Sequence, residues 1–173
     1  MKSTEGARET RALQITTPSE QEIVMTRIFD APRRLVFDAW TKPELLRRWL
    51  GVRNGWTMAV CEVDLKVGGA YRYVWRGPDR AEMGMGGVYR EILRPERIVC
   101  TEVFDDPWYA GEAEDTLVLV EDGKTTCTMT VRYASRETRD AVLKSGMATG
   151  VAESYDKLDE LLGEDRHQGR AGA

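Results

Sequence analysis

The sequence predicts an α+β domain in which a curved antiparallel sheet closes around one long C-terminal helix. Three observations predict it. Between Trp56 and Tyr133, six short runs alternate apolar with polar residues and are separated by turn residues. From Glu137 to Leu162, the residues Val142, Leu143, Met147, Val151, Tyr155, Leu158 and Leu162 recur at the three- and four-residue spacing of a helix. The chain of 173 residues, 42% hydrophobic and 31% charged, suits a single core.

Residues 1–20 are polar, lack the apolar stretch of a signal peptide, and are expected to be disordered. The domain proper is expected over 21–162, followed by a disordered tail over 163–173. Glu22 to Phe29 reads as the opening strand. Asp30 and Ala31 lead to Pro32, which suits a helix start, and Leu35, Val36, Ala39 and Trp40 give that helix its stripe. Thr41 is expected to cap a second short helix, with Pro43 in its first turn and Glu44 three residues after the cap. Leu45, Leu46, Trp49 and Leu50 form its apolar side, and Gly51 and Gly55 mark the exit.

Six strands follow: Thr57 to Val63, Ala70 to Arg76, Met83 to Leu93, Ile98 to Phe104, Thr116 to Glu121 and Thr125 to Tyr133. Asp122-Gly123 between the last two is the clearest hairpin signal. Short links make these six strands an antiparallel meander, and the opening strand brings the sheet to seven. Gly68-Gly69 reads as a tight turn and Gly86-Gly87 as a bulge or bend that curves the sheet. Neither pair is a phosphate loop, because no Lys-Ser/Thr and no following helix accompanies it.

The terminal helix contains Gly146 and Gly150, each costing about 1 kcal/mol relative to Ala in a helix interior. With Ser154 they make a strip of small side chains. Such a strip implies close backbone approach or empty space, and a sheet curled around it would hold a cavity.

Several function classes are excluded or disfavoured. The net charge of −4 argues against a nucleic-acid partner. Arg33, Arg34, Arg47, Arg48 and Arg53 read as a solvated face. No run approaches the roughly 18 apolar residues of a membrane span, so the protein is expected in the cytoplasm. Cys61, Cys100 and Cys127 are far apart and read as small hydrophobes in strands. The only histidine, His167, falls in the tail, so catalytic machinery and metal sites built on histidine have no residue to use. No catalytic residue, metal or cofactor is assigned. Glu62, Glu91 and Glu102 lie in strands, and a buried one with a raised pKa would be an acid or base candidate.

The motif set resembles a known family. Its residues are Arg27-Ile-Phe-Asp-Ala-Pro32, Val36-Phe-Asp-Ala-Trp40 with Pro43, Arg48-Trp-Leu-Gly51 and Asp64-Leu-Lys-Val-Gly-Gly69. Further on stand Gly87-Val-Tyr-Arg-Glu-Ile92 with Pro95-Glu-Arg97, Gly123-Lys-Thr-Thr126, Ser145-Gly-Met-Ala-Thr-Gly150 and Tyr155-Asp-Lys-Leu158. Together they resemble the bacterial proteins similar to the C-terminal domain of the activator of the 90-kDa heat-shock-protein ATPase. That group falls within the START-like helix-grip superfamily (SRPBCC), which includes the birch-pollen-allergen proteins. The chain departs from the family pattern at Leu50, where many members carry a second tryptophan, and at Val52, commonly proline. The resemblance implies a helix-grip fold over about residues 22–162.

The expected cavity lining comprises Trp49, Trp56, Met58, Tyr71, Tyr73 and Trp75, then Met85, Phe104 and Met129 from later strands. From the helix come Met147, Gly150, Val151 and Ser154. Arg72 and Glu102 are candidate polar groups, and Trp108 and Tyr109 candidate mouth residues. Ordinary core packing is the competing reading for most of these. The expected function is non-catalytic binding of a small hydrophobic or amphipathic molecule. The superfamily also implies two alternatives: a cyclase, aromatase or hydrolase-type enzyme using a cavity carboxylate, and a protein-interaction module akin to the chaperone activator. Homodimerisation is compatible with all three.

Overall fold

The structure is a computed structural model that describes residues 12–171, with side chains through Glu164. Strands β1 (Gln14–Thr16) and β2 (Glu22–Phe29) open it, followed by helices α1 (Arg33–Thr41) and α2 (Pro43–Trp49). The meander is β3 (Thr57–Val63), β4 (Ala70–Arg76), β5 (Glu82–Leu93), β6 (Arg97–Phe104), β7 (Ala113–Asp122) and β8 (Lys124–Arg132). Helices α3 (Arg136–Lys144) and α4 (Met147–Ala171) end it. The eight strands form one sheet in the order β1-β2-β8-β7-β6-β5-β4-β3, and every neighbouring pair is antiparallel. This is the helix-grip architecture, with one strand more than expected.

The additional strand corrects the reading of residues 1–20 as disordered. Gln14, Ile15 and Thr16 pair with Thr26, Met25 and Val24 along the free edge of β2. Residues 1–11 lie outside the described residues. At the other end, α4 runs on through Ala171, so the segment expected as a tail from Gly163 is helical.

The terminal helix is two helices. Ser135 caps α3, its hydroxyl accepting the Thr138 N–H at 3.1 Å. The break falls at Gly146, whose φ of +82° suits glycine and interrupts the helix. Gly146 is therefore a hinge point between helices, and only Gly150 lies inside one. The boundary between α1 and α2 also differs from expectation. Pro43 forces Lys42 into an extended conformation (φ −92°, ψ 121°), so the chain breaks there. Thr41 ends α1 instead of capping α2, and its hydroxyl donates to the Phe37 carbonyl at 2.8 Å.

The sheet is creased along β5. A Cβ on Gly86 would stand 2.7 Å from the Tyr71 carbonyl oxygen, and one on Gly87 would overlap the Thr101 carbonyl. Beside them the Val88 N–H bonds the Thr101 hydroxyl at 2.9 Å, and the pairing with β6 slips register between Tyr89 and Glu91. Strands this close at one point diverge elsewhere, and the sheet bends around α4.

The core lies on the concave face. Trp49 is fully buried, its indole N–H donating to the Ala39 carbonyl at 2.9 Å. It meets Trp40 edge-on at 4.7 Å and Tyr155 at 6.2 Å. Polar contacts hold helix α4 along its length, among them Arg27 to Asp156 at 2.7 Å, Arg53 to Glu153 at 2.7 Å, and Gly51 N–H to Ser154 Oγ at 3.1 Å. The arginines expected as a solvated face largely have partners, since Arg33 meets Glu96, Arg48 meets Glu164 and Arg47 donates to the Met58 carbonyl. Among the described residues, no helix is long and apolar enough to cross a membrane.

Candidate ligand cavity

Between the creased sheet and α4 lies a cavity of about 460 Å³. That size falls in the ordinary range of small-molecule sites, about 300–1,000 Å³. Alternation along the strands builds its wall. On β4, Tyr71, Tyr73 and Trp75 face inward and are buried, and Tyr89 joins them from β5. Ring centroids are 5.0 Å apart for Tyr71–Tyr73, 5.5 Å for Tyr71–Tyr89 and 5.8 Å for Tyr73–Trp75, making a continuous aromatic belt. Two polar anchors fix it: the Tyr71 hydroxyl donates to the Thr101 carbonyl at 2.6 Å, and the Trp75 indole N–H donates to the Leu50 carbonyl at 2.8 Å.

Of the residues expected from sequence, Trp56, Tyr71, Tyr73, Trp75, Met85 and Met129 line the cavity, as do Met147, Gly150, Val151, Ser154 and Glu102. Others are elsewhere. Trp49 points away, into the packing between α1, α2 and Tyr155. Met58 is buried beside α2, next to a register slip in β3. Phe104 packs on the rings of Trp108 and Tyr109, at 6.2 and 6.0 Å. Arg72 alternates with the inward tyrosines and so sits on the outer face, in a two-pronged pair with Asp105 at 2.7 and 2.5 Å. That pairing holds the Asp105 carboxyl below its usual range. Trp108 is half exposed and Tyr109 packs on Tyr133 at 5.5 Å, and neither is among the residues that line the cavity. Of the other acid candidates, Glu62 and Glu91 face solvent.

The lining also includes residues the sequence reading did not single out, among them Met25, Trp40, Arg53, Cys100 and Asp115. Asp115 matters most. Strand β7 begins at Ala113 and not at Thr116, and Ala113, Asp115, Leu117 and Leu119 then share the buried face. Extending the alternation of Leu117 and Leu119 back by one step would have found it. Glu102 pairs across with Ala113, and Asp115 with Cys100. The two residues are thus diagonal neighbours on one face, about 7 Å apart along the sheet, and their carboxyl groups come within hydrogen-bond reach of each other.

Burial pushes the Asp115 carboxyl well above the usual carboxylate range, and the nearby Glu102 carboxylate pushes it further. Its Oδ1 is buried with no hydrogen-bond partner among the described residues. Glu102 accepts from the Tyr109 hydroxyl at 3.2 Å. Cys100 is a half-buried thiol whose pKa is raised chiefly by desolvation, and burial pushes Cys61 up to about 11 and Cys127 up to about 12. All three cysteines are free. At the α4 end, Arg53 borders the cavity, neutralised by Glu153.

The model of the family "Activator of Hsp90 ATPase homolog 1-like protein" matches residues 30–163. The chain belongs to this family. Among solved structures, a protein from Rhodobacter sphaeroides is 36% identical, with a TM-score of 0.84 over 88% of this chain and 99% of that one. A Chromobacterium violaceum protein is 26% identical, with a TM-score of 0.70 over 83% and 98% of the two chains. An AHSA1-like protein from Aeromonas hydrophila, 20% identical with a TM-score of 0.65 over 81% and 93%, shares the fold. No curated protein matches the chain significantly. Membership of the family agrees with the helix-grip arrangement of the sheet and α4.

Proposed function

We propose that this protein binds a small hydrophobic or amphipathic molecule without covalent chemistry, in the cavity between the sheet and α4. The observation that carries this reading is the 460 Å³ hollow walled by the Tyr71, Tyr73, Trp75 and Tyr89 belt, with methionines opposite and few polar groups. A packed core of this family's size would leave only voids near the size of a water molecule. Burial of the ligand's apolar surface, at about 25 cal/mol per Å², supplies the affinity, and the few polar groups set orientation. The reading places the protein in the cytoplasm, with a small molecule as its partner and neither nucleic acid nor a membrane involved.

Native mass spectrometry of the purified protein tests it by looking for a co-purifying small molecule. Gly150→Leu provides the control. Gly150 borders the cavity from within α4, and a leucine there fills space the ligand needs. The variant should stay folded, as thermal melting checks, and lose the ligand. An empty parent that also fails to take up an apolar fluorescent probe would refute the reading.

One observation favours a second reading. A buried, cavity-facing carboxyl with a strongly raised pKa is what an acid–base enzyme needs, and Asp115 has these properties. Incubating the recovered ligand with the protein separates the two: an unchanged mass and spectrum supports binding alone. The reading as a protein-interaction module anticipates no cavity beyond a few waters, and the size of this one counts against it.

A further inference from the structure

The cavity has a polarity that its apolar lining conceals. Glu102 and Asp115 put two carboxyl groups on one patch of the concave wall, and no arginine or lysine pairs with either among the described residues. The ionisable groups that interact with Asp115 come from several elements. They are Glu102 and Cys100 on β6, Glu114 on β7 itself, Tyr71 and Tyr73 on β4, Tyr133 after β8, Tyr109 in the β6–β7 loop and Tyr155 on α4. All of them are acids or neutral phenols and thiols. The arginine nearest the cavity, Arg53, is at the α4 border and already held by Glu153 at 2.7 Å.

Asp115 itself is nine-tenths buried, borders the cavity, and leaves Oδ1 without a partner. A buried acceptor without a donor costs free energy that a ligand can recover by supplying one. Anionic ligands are disfavoured at this wall by like-charge repulsion in a low-dielectric setting. Tyrosine rings next to a carboxylate suit a cation, because the ring quadrupole and the carboxylate both attract positive charge.

We infer that the ligand is an amphipathic amine, its apolar body lying along the tyrosine belt and its ammonium group held between Asp115 and Glu102. This deepens the binding function proposed above and rests on it. The raised pKa of the Asp115 carboxyl agrees with the arrangement: an ammonium beside it would stabilise the ionised form and release a proton to solvent on binding.

Calorimetry on the full chain at pH 7 with three probes of one body tests the inference: 1-naphthylmethylamine, 1-naphthylmethanol and 1-naphthylacetate. The amine is expected to bind at least tenfold more tightly than the alcohol, and the acetate more weakly than either. Glu102→Gln and Asp115→Asn, each checked by thermal melting, should reduce the preference for the amine over the alcohol to about threefold or less. Because Glu102 is only half-buried, its variant remains informative even if the Asp115 substitution misfolds. Alcohol binding without an amine preference overturns the inference and leaves the binding function standing. A preference that survives both substitutions, or amine binding that persists in Gly150→Leu when alcohol binding is lost, also overturns it. If none of the three probes binds, the binding function and the inference fall together.

Discussion

Ser154 Oγ accepts the backbone N–H of Gly51 at 3.1 Å, and this bond ties the middle of α4 to the loop leaving α2. Ser154 is buried and borders the cavity, so the bond also holds one side of the opening together. Ser154→Ala leaves the Gly51 amide without its acceptor and is expected to cost about 1–2 kcal/mol. Urea unfolding measures it directly, and an unchanged midpoint would show the bond to be replaced by water.

Gly51 and Gly68 both have positive φ, +69° and +85°, yet their surroundings differ. A Cβ on Gly51 would press to 2.5 Å from Trp75 Nε1, whereas one on Gly68 meets nothing within 4 Å. Gly68→Ala should therefore carry only the backbone penalty, about 1 kcal/mol. Gly51→Ala adds the displacement of Trp75 from its bond to Leu50 and should cost at least about twice as much. Comparing the two melting temperatures checks this, with tryptophan fluorescence altered only in Gly51→Ala.

Gly146 and Gly150 are expected to respond with opposite signs. Gly146→Ala puts a side chain at φ +82° and should destabilise by about 1 kcal/mol. Gly150→Ala places its methyl 3.6 Å from the Arg53 guanidinium, an ordinary contact, within a helix that favours alanine. It should stabilise by about 0.5–1 kcal/mol. Denaturant titration of both variants decides the matter.

The raised Asp115 pKa sets a pH dependence with a definite sign. Unfolded, the carboxyl loses its proton near pH 3.9; folded, it holds the proton well above that. Between those values the native state binds more protons, so this group's contribution to stability falls as pH rises. Asp115→Asn removes the dependence. Relative to the parent, the variant should gain stability between pH 5 and pH 8, measured by melting at both; a constant difference would argue against the shift.

Most of the fold was readable because it rests on local periodicity. The hairpin at Asp122-Gly123 forms where expected, with Asp122 opposite Lys124 and Gly123 at φ +69°. The belt of Tyr71, Tyr73 and Trp75 follows from period-two alternation alone. What escaped depends on context. Gly146 fits the helical pattern on both sides, and nothing in the spacing tells a break from an interior glycine. Arg72 is a candidate polar group of the cavity only on the condition that it points inward, and its parity with Tyr71 and Tyr73 turns it outward. Asp115 was lost through a strand boundary set three residues late. Trp49 and Trp40 lie on neighbouring helices, and only the angle between α1 and α2 decides which of them reaches the hollow.

The crease where Gly87 lies against the Thr101 carbonyl has a consequence for how such proteins diversify. It is made of main chain, with no side chain of its own, and it sets how far apart the two halves of the sheet splay. Exchanging a tyrosine or methionine in the wall would repaint the chamber and change which molecule it admits. Its dimensions would survive the repainting, because they were drawn in the backbone.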